Sequence, residues 1–86
     1  MPELSRFFGI IVRMYFNDHD PPHFHAFYGE HEVLVAIETL SVIRGYLPRR
    51  ALALSIEWAL FHREELRADW LLARAGKTLQ SIAPLE

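Results

Sequence analysis

Apolar residues recur along this chain with two different periods, and the change falls near residue 47. In residues 9–16, Ile10, Val12, Met14 and Phe16 fall on one side and Ile11, Arg13 and Tyr15 on the other. That is the period of two that a pleated strand imposes. Residues 23–28 repeat it, with Phe24, Ala26 and Tyr28 on one face and His23, His25 and Phe27 on the other. Residues 32–38 form the clearest strand, and residues 42–46 a weaker one. Between the first two strands, Asn17–Pro22 reads as a turn, because two prolines cannot donate to a ladder and Asx side chains favour local bonds to backbone. Gly29-Glu30-His31 is a short hairpin connection. Connections this short imply an antiparallel meander.

From Pro48, which suits the first turn of a helix, the period becomes helical. Residues 49–62 are apolar nearly all round, so this helix is buried on more than one side. Beyond Arg63 the apolar stripe narrows to Leu66, Trp70 and Ala73, flanked by charges. The helical part is either one long helix or two consecutive helices bent near His62-Arg63. Gly76 is the natural residue to end it. The pattern predicts a single α+β domain over residues 1–86. A sheet of three to four antiparallel strands over residues 9–46 is followed by C-terminal helices over residues 48–75, packed on one face. A tail over residues 77–86 packs through Leu79, Ile82 and Leu85.

Composition narrows the setting. Hydrophobic residues make up 51% and aromatic residues 13% of 86 positions, too apolar for a disordered chain and rich enough to leave surface for a partner or a homodimer. With no cysteine, disulfides and thiolate metal sites are excluded. Residues 1–6 contain no basic segment leading into an apolar one, and no apolar run approaches the ~20 residues of a membrane span. A cytoplasmic protein with no membrane partner is expected. The net charge of −2 gives no general support to nucleic-acid binding, although a local RNA contact stays open.

Candidate chemistry concentrates in Asp18-His19-Asp20-Pro21-Pro22-His23-Phe24-His25. Residues two apart on a strand project together, so His23 and His25 share a face, and His19 sits on the turn leading in. Three readings stay open. In the first, His19, His23 and His25 ligate zinc or another divalent transition metal, with Asp18 and Asp20 as further ligands or as acceptors behind them. In the second, the site needs no metal: His23 or His25 is the acid/base, Tyr15 a proton donor and Arg13 the charge stabiliser, a set suited to cleaving RNA at its own 2′-hydroxyl. In the third, the histidines only bond the Asn17–Asp20 turn and shape a hairpin.

Elsewhere, Arg49 and Arg50 oppose the helix dipole at a first turn, and pairing with Glu32, Glu38 or Glu57 is the expected compensation. Arg63, Arg67 and Arg74 are expected to form a solvated face with nearby carboxylates. Trp58 and Trp70 fall on core stripes.

Several of these segments together resemble one family. They are Met1-Pro2-Glu3-Leu4-Ser5-Arg6-Phe7-Phe8-Gly9-Ile10, Met14-Tyr15-Phe16-Asn17-Asp18-His19, Pro21-Pro22-His23-Phe24-His25-Ala26, Tyr28-Gly29, Leu47-Pro48-Arg49-Arg50-Ala51-Leu52 and Glu57-Trp58. The family is the bacterial domain-of-unknown-function family numbered 4160, and the resemblance runs over essentially the whole chain. Its members are commonly encoded beside a second small uncharacterised protein. The resemblance therefore implies one toxin-like component of a two-protein module with a small cognate protein partner. The alternative functions are a metal-binding protein or a non-catalytic adaptor.

Overall fold

The computed structural model describes residues 3–86; Met1 and Pro2 lie outside them. Five strands precede two helices: β1 (Glu3–Phe7), β2 (Ile10–Arg13), β3 (His23–Tyr28), β4 (His31–Ala36), β5 (Val42–Gly45), α1 (Arg49–Phe61) and α2 (Arg63–Arg74). The strands form one antiparallel sheet in chain order. The three- to four-strand expectation is corrected to five, because a strand precedes residue 9. Its alternation is broken by a register shift between Glu3 and Ser5, which leaves Leu4 and Ser5 both buried. It joins β2 through Phe8 and Gly9, both at positive φ (48° and 81°), as a two-residue type I′ turn requires.

The alternation predicted for residues 9–16 and 23–28 sorts side chains as expected except at the outer ends, where Phe16 and Tyr28 are exposed. Ile10, Val12, Met14, Phe24, Ala26, Val33 and Val35 all face the core. Trp58 of α1 is its largest fully buried side chain, with ring centroids 5.4 Å from Phe7 and 5.9 Å from Phe24. Leu66, Trp70 and Ala73 join α2 to the same core, while Arg63 and Arg67 bond Ile37 and Glu38 just past the end of β4. Of the two helical alternatives, the chain adopts two helices. His62 leaves helical geometry (φ −125°, ψ 23°) and its amide turns back to the Ala59 carbonyl. At the far end Gly76 (φ 71°) closes α2 with paired bonds from its own amide to Ala73 and from Lys77 to Leu72, the Schellman arrangement.

The tail is fastened by three bonds. Ile82 donates its amide to Leu4, Trp58 donates its indole N–H to the Ala83 carbonyl, and Gln80 donates its amide to Asp69. Ile82 is buried, with Leu79 and Leu85 packed against the core. At the other side of the sheet Gly45 (φ 90°) lies against β4. A Cβ there would stand 2.2 Å from the Glu32 carbonyl, closer than any side chain can approach.

Candidate functional site

Four side chains meet on the sheet face turned away from α1. His23 and His25 project from β3 two residues apart, as the strand period dictates. Beyond β2 the chain turns at Asn17 (φ 59°), which carries Asp18 back over β3. One Asp18 carboxylate oxygen, Oδ2, then lies 3.0 Å from His23 Nε2 and 2.9 Å from His25 Nε2. The other, Oδ1, accepts the His19 amide at 3.1 Å. On β4, Glu32 sits diagonally across from His25, two places from its register partner Leu34, and its Oε2 lies 2.8 Å from His25 Nδ1. His23 Nδ1 lies 2.8 Å from the Pro21 carbonyl.

Both histidines are nearly inaccessible, at 4% and 8% exposure. Trp70 of α2 packs on His23, with centroids 5.3 Å apart, and Tyr15 meets His25 edge-on at 4.5 Å. Arg13, the register partner of His25, lays its guanidinium over Phe27 at 5.2 Å. Burial pushes the Asp18 carboxyl up. The hydrogen bond to His25, the charge of His23, the His19 amide and the charge of His25 outweigh it, and hold the group below the usual carboxylate range.

Proton placement gives this arrangement its chemistry. A carbonyl oxygen can only accept, so His23 Nδ1 must carry hydrogen to bond Pro21. Glu32 asks the same of His25 Nδ1. In neutral rings both Nε2 atoms then present lone pairs, and both converge on the anionic Asp18 Oδ2. Three acceptors this close repel one another unless positive charge lies among them. That charge is either extra protons on the rings or a cation. His23 Nε2 is, moreover, misaligned for a hydrogen bond to Asp18 despite the short distance, and is left buried without a partner. Such a nitrogen is poorly placed to donate and well placed to ligate. Asp18, His23 and His25 offer donor atoms all within 4.8 Å of one another. Ligands at right angles, as in a facial set of two imidazoles and one carboxylate with ~2.1 Å bonds, stand ~3.0 Å apart, which matches the two Asp18 spacings. The Nδ1 acceptors, Pro21 and Glu32, are the supports that fix tautomer and ring orientation in histidine metal sites.

The structure thus brings together His23, His25 and Tyr15, with Arg13 one side chain further along. His19 is exposed and stands on the rim of an adjoining cleft, outside the tight donor set; the third donor atom is Asp18's. Asp20 accepts from Arg74 at 3.1 Å. Glu32 was not legible as a site residue, and its signal lay in the β3–β4 register. Nor does it serve Arg49 or Arg50: Glu32 faces His25, Glu38 pairs with Arg67, and neither helix-start arginine has an ion pair among the described residues. Of the three later arginines, Arg63 donates to the Ile37 carbonyl and Arg67 bonds Glu38 and Glu64.

A five-stranded meander, α1 on one face and an imidazole–carboxylate cluster on the other define a small α+β protein with a polar, largely enclosed site. Its family follows from the sequence. The chain belongs to the family described as Domain of unknown function (DUF4160), whose profile matches residues 9–71 and so takes in every member of the cluster. No curated protein and no solved structure matches the chain.

Proposed function

We propose that this protein binds a divalent transition metal through Asp18 Oδ2, His23 Nε2 and His25 Nε2. The observation that carries the reading is the convergence of two imidazole Nε2 atoms on one carboxylate oxygen, each ring held from behind by an acceptor at Nδ1. Two imidazoles and one carboxylate suit zinc or iron(II), and three protein ligands leave positions open for water or a substrate.

Protein purified without an affinity tag should carry close to one equivalent of metal by elemental analysis. Saturating zinc should raise the melting temperature of the stripped protein by about 10 °C or more, since ligand at ~100 times Kd contributes ~2.7 kcal/mol. His23→Ala and Asp18→Asn should abolish that rise. A stripped wild-type protein whose melting temperature ignores zinc, iron, nickel and cobalt alike sinks the reading.

A second reading is favoured by Tyr15, whose ring lies against His25. On it, the protein is the toxin-like member of a two-protein module and cleaves RNA without metal, with His25 or His23 as acid/base, Tyr15 as proton donor and Arg13 as charge stabiliser. It ranks second because both His25 nitrogens already face carboxylates, so neither is free for a substrate proton. Induction in a bacterial culture separates the two: RNA cleavage that persists in chelator and is lost in a folded His25→Ala variant supports it. The exposed Phe8, Leu60, Phe61 and Leu71 support a protein partner under either reading.

A further inference from the structure

Beside the cluster lies a cleft of about 210 Å³, walled by Asp18, His19 and His23 on one side and Leu34, Ile43 and Arg44 on the other. Register fixes this composition. Leu34 is the partner of His25 across β3–β4, and Arg44 the partner of Leu34 across β4–β5, so Arg44 stands on the same sheet face as the histidines. Arg44 has no ion pair among the described residues, whereas Arg6, Arg67 and Arg74 each have a carboxylate. It is a free guanidinium at the mouth of the site.

We infer that this cleft seats the oxyanion group of a small molecule, a carboxylate or a phosphate, between Arg44 and an open position of the metal held by Asp18, His23 and His25. The inference rests on the metal reading and names the substrate class it serves. Electrostatics make the two interdependent. Without metal, the Asp18 carboxylate on the cleft wall repels an anion. Asp20 contributes little, because Arg74 neutralises it. A divalent cation on the cluster reverses the sign of the wall, since its charge outweighs Asp18 and Arg44 adds to it. Arg is also the side chain whose planar fork matches carboxylate and phosphate oxygens. The cleft is smaller than the ~300–1,000 Å³ of ordinary ligand pockets, so the bound group has few heavy atoms. Leu34 and Ile43 favour a short apolar substituent beside the anion.

The test uses the full chain loaded with cobalt(II), whose visible spectrum reports its ligands. Inorganic phosphate, acetate and butyrate are titrated separately into wild type and Arg44→Met. At least one anion should change the spectrum saturably. Arg44→Met should weaken that anion roughly tenfold or more, the loss of a charge-assisted bond, while cobalt affinity stays unchanged. Tightest binding by phosphate identifies a phosphoryl ligand; butyrate above acetate identifies a carboxylate with an apolar substituent. A cobalt spectrum indifferent to all three anions, or equal anion affinity in the variant, overturns the inference and leaves the metal site standing. Failure to bind cobalt at all overturns the metal reading and this inference with it.

Discussion

Asp69 lies outside the site, and its carboxyl is shifted in the opposite direction to that of Asp18. It is 1% exposed, accepts the Gln80 amide through Oδ1 and leaves Oδ2 without a partner. Burial pushes its carboxyl up, the Gln80 amide draws it down, and Glu65 adds to the rise, so the folded value lies above the ordinary one. The folded state therefore holds this proton more tightly than the unfolded chain. Its contribution to stability is full below pH ~3.8 and is lost as pH rises through the folded value. Asp69→Asn keeps an acceptor for Gln80 and carries no charge. Urea unfolding should show the variant at least as stable as wild type at pH 7 and relatively less favoured near pH 3; a variant markedly weaker at neutral pH would falsify this account. The same scale shows what a sequence conceals. His23 and His25 were legible as a pair from their spacing alone. Glu32 was not, because its meeting with His25 is a diagonal contact that exists only in one β3–β4 register.

Elements were legible where alternation or helical period was unbroken, and obscure where the chain departs from it. β5 is exposed at all four positions and shows no alternation of burial, while β2, β3, β4 and both helices follow their patterns. β1 does not: the register shift buries Leu4 and Ser5 in succession, and its turn places Phe8 at positive φ where Asn or Gly would have announced a hairpin. Element-scale geometry also holds the site. Arg74, in the last turn of α2, bonds Asp20, two residues from the carboxylate that caps both histidines. The pair is exposed, so its stability contribution is at most about 1 kcal/mol. It nevertheless ties α2 to the Asp18–Pro22 loop. Arg74→Ala should leave the melting temperature nearly unchanged yet weaken zinc binding by about tenfold, the lower end of the range for removing a support behind a ligand. Competition with a coloured chelator measures that affinity, and an unaltered value would show that Asp18 keeps its place without α2.

At the scale of the whole molecule, the tail completes a core that the sheet and helices leave open. Ile82 is 4% exposed and its amide bonds Leu4 on β1, so the last residues cover part of an otherwise bare strand edge. Ile82→Ala should cost about 2–4 kcal/mol by the usual penalty for a buried isoleucine, read as a lower urea midpoint with an unchanged slope. An effect under about 0.5 kcal/mol would mean that the tail rides on the surface. The sequence pointed to this packing through Leu79, Ile82 and Leu85. It could not show that Trp58 and Asp69 would each spend a hydrogen bond on the tail, since those partners lie 25 and 11 residues away.

The packing of Trp70 against His23 gives the protein an optical reporter of its own. One of its two indoles lies 5.3 Å from a proposed ligand ring, while the other, Trp58, is enclosed by Phe7 and Phe24 on the opposite side of the sheet. Emission from Trp70 should be quenched when a paramagnetic ion such as copper(II) enters the cluster, and Trp58 should stay bright. In a Trp70→Phe variant the remaining fluorescence would then ignore the ion, so occupancy could be followed in the intact protein without any added dye.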